Sequence, residues 1–259
     1  MKLLRTAAIA AAALTTTMTA TTASAEYQYG FGNVSINRLN WSDGTQERTK
    51  TQAPKRSFTF LELEGGAGFD WGEVYGFIDL ENPHKKNNED DGDGLRIAMK
   101  GTMRVFLGDT GLNLYGQIYD LSTGDFDEQN RVIGFGYNYA NDNLFFKPFI
   151  GLHNAQSKYF KEGNNGYMLG WVLGYNFNAF NQSFSVTNWN EYEFGRDKKY
   201  QTDKNDKSKS KKSGINGAVS LWWNATDNIT AGLQYRYAND KLGSATYQNA
   251  MIYTLKYNF

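Results

Sequence analysis

The feature that most constrains the fold is an alternation of apolar and polar residues that recurs along the chain. In the last segment an apolar set alternates with a more polar one: Met251, Tyr253, Leu255, Tyr257 and Phe259 against Ile252, Thr254, Lys256 and Asn258. Residues two positions apart lie on the same face of a β-strand, so this period predicts a strand with one apolar face. The same pattern upstream predicts an all-β protein.

Twelve alternating segments can be marked, and each has the roughly 9–14 residues that a tilted strand needs to cross a bilayer. Their predicted spans are 27–41, 57–69, 72–82, 95–106, 111–121, 129–140, 144–157, 167–178, 182–196, 214–224, 228–238 and 247–259. Short turns are expected between strands at one end, and long polar loops at 42–56, 83–94, 122–128, 158–166, 197–213 and 239–246 at the other. This layout predicts a 12-stranded antiparallel transmembrane β-barrel of the bacterial outer membrane, with both termini on the periplasmic, short-turn side.

A soluble jelly roll or β-sandwich also alternates and is the alternative fold. The height of the apolar faces and the aromatic C-terminal residue favour the barrel. Interfacial girdles are expected from aromatic residues near the strand ends, such as Trp41, Trp71, Tyr139, Phe177, Trp223 and Phe259. Pro148 falls inside the seventh predicted strand and lacks the N–H that a closed barrel uses there. We therefore expect a bulge that takes Lys147 or Phe149 out of register.

The N-terminal residues have the pattern of a secretory signal peptide. Lys2 and Arg5 precede an apolar stretch that ends in the small residues Ala23-Ser24-Ala25. We predict a signal peptide over 1–25 and a β-barrel channel domain over 26–259. A helical cap on the mature fold is the alternative reading of the first 25 residues.

The composition argues against several function classes. The 27 basic and 27 acidic residues balance, whereas nucleic-acid binding needs a basic face. The chain has no cysteine and two histidines, so we expect neither a disulfide scaffold nor a metal centre, and no cofactor. A barrel hydrolase would need a histidine beside a serine. Because His84 lies in a predicted loop and His153 is alone on its strand, we expect no catalytic residues and no enzyme.

Two charged loops have weaker implications. Segment 87–94 is rich in Asp, Asn and Gly, but it does not place a glutamate at the last position of an EF-hand loop. A loose surface cation site is the remaining possibility for it. The lysine-rich loop 197–212 is expected to be a solvated loop, and contact with lipopolysaccharide or a phage fibre is the alternative.

The second and third predicted strands contain the most specific stretch of the chain. It reads Leu61-Glu62-x-Glu64, then Asp70-Trp71, then Tyr75-Gly76-x-x-Asp79. This stretch resembles the Tsx family of nucleoside-specific outer-membrane channels, and within it the OmpK-type members. The resemblance implies a monomeric barrel with a narrow pore that passes nucleosides and deoxynucleosides by passive diffusion. It also implies exposed loops that phages use as a receptor.

The alternation assigns the residues that face the lumen. A two-residue turn at Asp70-Trp71 places Glu62 opposite Asp79 and Glu64 opposite Phe77, an acidic hairpin beside a basic fourth strand. The candidate solute-binding residues are Phe58, Phe60, Glu62, Glu64, Tyr75, Phe77, Asp79, Arg96, Lys100, Arg104, Tyr115, Trp189 and Trp222, with Tyr119 as a further aromatic candidate. We hypothesise that the glutamates bind ribose hydroxyls and that the aromatic rings stack on the base. The alternatives are a structural salt-bridge network and aromatic residues that only fill volume.

The sequence therefore predicts a passive outer-membrane channel for nucleosides or similar small solutes, monomeric and in contact with lipid and lipopolysaccharide. The main alternative is a surface receptor or adhesion barrel whose lumen conducts little. A barrel hydrolase is the third.

Overall fold

The computed structural model describes residues 25–51, 53–86, 94–201 and 211–259. These ranges form one helix, α1 (Asp43–Thr49), and short 3₁₀ turns at Gly108–Thr110 and Lys198–Tyr200. The β-segments are β1 (Tyr27–Trp41), β2 (Phe58–Phe69), β3 (Gly72–Glu81), β4 (Arg96–Phe106), β5 (Leu112–Ser122), β6 (Asp127–Tyr137), β7 (Tyr139–Ala140), β8 (Leu144–Ser157), β9 (Phe160–Ala179), β10 (Gln182–Phe194), β11 (Ser213–Asn224), β12 (Ile229–Lys241) and β13 (Ser244–Asn258). Nearly all of the predicted signal peptide (1–24), and parts of the two charged loops (87–93 and 202–210), lie outside the described residues.

All the β-segments belong to one antiparallel sheet that closes on itself. Consecutive segments pair with each other from β1 to β6 and from β7 to β13, β1 pairs with β13, and β6 pairs with β8. The two-residue β7 pairs with β8 beyond the end of β6, so β6 and β7 are two parts of one barrel strand. The predicted 12-stranded antiparallel β-barrel is confirmed.

The strand predictions are least accurate at the long-loop end. The bounds of β1 and β8 agree with the sequence pattern. The prediction of loops at 158–166 and 239–246 is wrong, because β9 begins at Phe160 and the β12–β13 hairpin continues to Lys241 and Ser244. These parts pair as strands without an apolar outward face, so the alternation that marks a lipid-facing strand is missing from them.

The expected loop 42–56 contains the helix α1. The Ser42 side chain accepts a hydrogen bond from the backbone N–H of Thr45, and this cap begins the helix. Thr45 and Thr49, one turn apart, are buried, and the Thr45 hydroxyl donates to the carbonyl of Asn249 at 3.2 Å. The helix is therefore fixed against β13. No helix in the described ranges has the length and apolar character needed to span a membrane.

The outward face of the barrel is apolar and exposed, as in Leu61, Leu63, Ile133, Phe135 and Leu255. Of the expected girdle residues, Trp71, Tyr139, Trp223 and Phe259 are exposed, and Phe177 stacks on Phe184 at 5.6 Å. The prediction that Trp41 is a girdle residue is wrong. Trp41 shares the inward parity of Leu39, so its indole is buried inside the barrel.

The bulge expected at Pro148 is absent, and this prediction is wrong. The register between β8 and β9 runs unbroken through Lys147, Pro148 and Phe149. On the other side, the partner strand is interrupted at Asn138, between β6 and β7, and then resumes in the same register. Arg104 donates to the carbonyls of Lys147 and Pro148 at 2.9 and 3.1 Å. The neighbouring strand is thus interrupted beside the residue that lacks an N–H. The carbonyls of Lys147 and Pro148 bond to the side chain of Arg104.

Candidate functional site in the barrel lumen

The acidic hairpin has the register that the sequence predicts. Glu62 pairs with Asp79 and Glu64 with Phe77 across β2 and β3. Leu61 and Leu63 are exposed on the outside, so the alternating glutamates face the lumen. Two carboxyl groups thus lie directly opposite each other on the inner wall.

The two glutamates differ in how completely they are bonded. Glu64 accepts hydrogen bonds from Tyr75 at 2.8 Å and Asn33 at 3.0 Å, and Lys256 lies 2.8 Å away. Glu62 accepts a long hydrogen bond of 3.4 Å from Ser35. Oδ1 of Asp79 has no hydrogen-bond partner in the described part of the chain. Glu62 and Asp79 also share a side-chain hydrogen bond, and Glu62 is bonded less completely than Glu64.

The cations of the fourth strand do not form a free basic wall. Arg96 pairs with Glu81 at 2.6 Å, and Lys100 pairs with Glu191 of β10 at 2.6 Å. Arg104 lies 3.4 Å from Glu73 and bonds the carbonyls beside Pro148. Tyr119 lies beside Lys100 in the β4–β5 register. The cation next to the acidic hairpin is instead Lys256 of β13.

Two lumenal cations that the sequence reasoning missed lie over indole rings. Nζ of Lys256 is 4.3 Å from the ring centre of Trp222, and the guanidinium of Arg236 is 4.7 Å from that of Trp189. The Trp222 N–H donates to Thr187 at 2.8 Å, which fixes the ring. Both cations belong to the polar set of their alternating strands. The parity rule used for Glu62 would have found them.

A second charge network lies at the short-turn end. Nζ of Lys147 lies 2.5 Å from Glu73, and the Tyr29 hydroxyl donates to the same Glu73 oxygen at 2.7 Å. Arg104 lies on the other side of Glu73. Because β3 and β8 are separated by several strands around the barrel, the contact between Glu73 and Lys147 joins two distant parts of the wall. This contact reduces the width of the lumen.

Two buried clusters fill parts of the lumen and contain three of the predicted site residues. The plug cluster comprises Tyr115, Val132, Phe149 and Met168, with Tyr115 and Phe149 stacked at 4.1 Å. The mouth cluster comprises Leu39, Trp41, Phe58, Phe60, Ala250 and Ile252. Phe58, Phe60 and Tyr115 are therefore buried in these two clusters.

Other aromatic residues remain accessible from the lumen. Phe31 is 49% exposed, with its ring centre 6.3 Å from that of Tyr75, and Tyr75 lies 6.5 Å from Phe77 in an edge-on contact. Together with Glu62 and Asp79 these three rings form one patch, which we call the acidic–aromatic face. It combines planar apolar surface with carboxylate acceptors.

The long-loop end carries buried cations. Lys55, between α1 and β2, donates to the carbonyl of Leu242 at 2.6 Å. Burial, and then the charges of Arg96 and Arg236, lower the pKa of Lys55 to about 8. Arg196, just after β10, lies 2.7 Å from Glu193, and burial lowers its pKa to about 10. These contacts hold the described parts of two loops against the mouth of the barrel.

The described ranges contain no group of three or more His, Cys, Asp or Glu side chains arranged to hold a metal ion. His153 is buried, and its Nε2 lies 2.8 Å from Oδ1 of Asn130. The described lumenal side chains offer hydrogen bonding, charge and ring stacking.

Comparisons with known proteins agree with this picture. The NanC porin aligns with a TM-score of 0.51 at 11% sequence identity, covering 86% of this chain and 98% of that one. A KdgM porin, solved in complex with disordered oligogalacturonate, aligns with a TM-score of 0.47 at 8% identity, covering 88% of this chain and 99% of that one. The likeness to the NanC porin concerns the fold. The family model described as "Nucleoside-specific channel-forming protein, Tsx" matches residues 36–259. Because this match includes most of the chain, the protein belongs to the Tsx family and is an outer-membrane channel.

Proposed function

We propose that the barrel is a passive channel for nucleosides, deoxynucleosides or similarly small solutes. The observation that carries this proposal is the acidic–aromatic face, where Phe31, Tyr75 and Phe77 lie beside Glu62 and Asp79 on the lumen wall. A nucleoside combines a planar base with a hydroxylated sugar. The face offers both complementary chemistries on neighbouring strands.

Each part of the solute would meet a different part of this face. Sugar hydroxyls donate to carboxyl oxygens of Glu62 and Asp79. The base stacks on Phe77, and such stacking tolerates every base because each has a π-face. Contacts of this kind are individually weak, so a solute that binds also leaves, as conduction requires.

Liposome swelling tests the proposal with adenosine as the solute and arabinose as a sugar without a base. The double variant Glu62→Gln, Phe77→Ala is expected to slow adenosine entry severalfold while arabinose entry is unchanged or faster. Phe135→Ala removes a phenylalanine from the lipid-facing side and is the matched control. Adenosine entry at the parental rate in the double variant would show that the site is assigned to the wrong residues.

A poorly conducting receptor barrel is the second candidate, and the two buried clusters in the lumen favour it. Planar-bilayer recording separates the candidates. The channel gives discrete conductance that adenosine blocks, whereas a closed receptor barrel gives none. A catalytic role is not proposed, because the His153 ring is buried and contacts Asn130.

We also propose that the loops at the long-loop end of the barrel serve as a phage receptor. In α1 the buried Thr45 and Thr49 anchor the helix, and Asp43, Gln46 and Glu47 are exposed. This arrangement presents an ordered polar surface on a fixed support. If the surface is used, Glu47→Lys lowers phage adsorption without changing adenosine entry. Equal adsorption with every exposed α1 residue substituted would remove α1 from the proposal.

The proposal also includes the processing and the orientation of the protein. Residues 1–25 are removed as a signal peptide, and the mature protein is a monomer. Its short turns and both termini face the periplasm. The chain has no cysteine, so single cysteines report position cleanly. In intact cells a membrane-impermeant maleimide is expected to label Glu47→Cys but not Asp227→Cys, which lies in a short turn. Labelling of Asp227→Cys but not of Glu47→Cys would contradict the proposed orientation. Mass spectrometry of the exported protein is expected to find Glu26 at its N-terminus.

A further inference from the structure

An ion pair crosses the interior of the barrel between strands that are far apart around the wall. Lys100 lies on β4 and Glu191 on β10, and the two are separated by β5, β6, β8 and β9 on one side and by six strands on the other. Their side chains nevertheless meet, with Nζ and Oε1 at 2.6 Å. The contact therefore spans the lumen rather than following the wall.

Neutral side chains hold this contact in place. Nε2 of Gln117, on β5, donates to the same Glu191 oxygen at 2.9 Å, and Oε1 of Gln117 accepts from the Tyr115 hydroxyl at 2.6 Å. Tyr115 in turn stacks on Phe149 at 4.1 Å. We call Lys100, Gln117 and Glu191 the cross-lumen bar. Because each member is bonded to the next, the bar is braced by the packed plug cluster.

The two sides of the bar differ in access to water. On the side of β5, β6, β8 and β9 lies the plug cluster, where Val132 and Tyr115 are each 3% exposed and Met168 is 1% exposed. On the side of β11–β13 and β1–β3, the lumenal residues Glu62, Phe77, Trp222 and Gln234 are partly exposed. One part of the cross-section is therefore packed like a protein core. The other part contains partly exposed side chains, with the mouth cluster of β1, β2 and β13 at its long-loop end.

We infer that the cross-lumen bar divides the lumen, confines the solute path to the side of β11–β13 and β1–β3, and sets the largest solute that passes. Lys100 and Glu191 are thus size-determining residues. Their effect applies to any solute and does not depend on whether nucleosides are preferred.

The double variant Lys100→Ala, Glu191→Ala tests this inference, since it removes both ends of the bar without changing net charge. Single-channel conductance is expected to rise at least about twofold, because conductance follows the width of the narrowest section. Swelling assays are expected to show entry of a disaccharide that the parent excludes. Arg131→Ala, Glu162→Ala removes an equivalent pair from the outside of the barrel and is expected to leave both unchanged.

A folded double variant, recognised by its heat-dependent gel mobility, that keeps the parental conductance and size limit would overturn the inference. Cysteine modification gives a second test that leaves the bar intact. A charged thiol reagent is expected to modify Gln234→Cys and reduce the current, and to leave Val132→Cys unmodified. Rapid modification and block at Val132→Cys would show that solutes pass behind the bar, contrary to the inference.

Discussion

Arg104 gives the sharpest energetic prediction of the structure. Its side chain is 6% exposed, and it donates to the carbonyls of Lys147 and Pro148 at 2.9 and 3.1 Å. These carbonyls lie where the ladder between β8 and its neighbour is interrupted. Arg104→Ala removes both of these side-chain hydrogen bonds at once.

The expected loss follows from the bonds that disappear. Hydrogen bonds from a charged donor contribute roughly 1.5–3 kcal/mol each, so two bonds correspond to about 3–6 kcal/mol. Glu73 keeps Lys147 at 2.5 Å when Arg104 is removed, so no carboxylate is left unpaired. Lumenal water also rehydrates part of the exposed backbone. We therefore expect a loss near the lower end, about 3 kcal/mol.

Urea unfolding of the barrel in phospholipid vesicles, followed by tryptophan fluorescence, measures this loss. Arg104→Lys keeps the charge but not the planar fork that reaches two carbonyls, so it is expected to recover less than half of the stability. Arg131→Ala is the matched control. Its ion pair with Glu162 is 39% and 56% exposed, and its removal is expected to cost less than about 1 kcal/mol. A loss for Arg104→Ala no larger than that of the control would refute the role assigned to Arg104.

Two further predictions concern a loop and a glycine. The pKa of Lys55 is lowered to about 8, so the folded chain binds fewer protons than the unfolded chain between about pH 8 and 10.5. The free energy of unfolding therefore rises with pH over that range. Lys55→Gln is expected to reduce this rise, measured by urea unfolding at pH 7 and pH 10. A Cβ on Gly134 would overlap the carbonyl oxygen of Ile150, whereas one on Gly116 meets nothing within 4 Å. Gly134→Ala is therefore expected to lose about 1–3 kcal/mol, while Gly116→Ala is neutral or slightly stabilising, and equal stabilities would contradict the packing described.

The wall of the barrel was largely predictable because a single local rule generates it. A period of two assigns every strand residue to the lipid or to the lumen, and a two-residue turn then sets the hairpin register. The pairing of Glu62 with Asp79 needed nothing else. Local rules failed where the bilayer no longer imposes the pattern, as at Phe160. They also failed at Pro148, where the neighbouring strand, rather than the proline's own strand, is interrupted.

The interior was less predictable because its contacts join strands that are remote in sequence. Parity places Lys100 inside the barrel but does not say whether it meets the adjacent Asp79 hairpin or Glu191 on the far wall. That choice depends on barrel diameter, strand tilt and side-chain length together. The fourth strand therefore looked like a basic partner for the acidic hairpin, although its cations pair elsewhere. In a narrow barrel the charges that shape the pore are those that reach across it, so paired substitutions on opposite walls are the informative experiments.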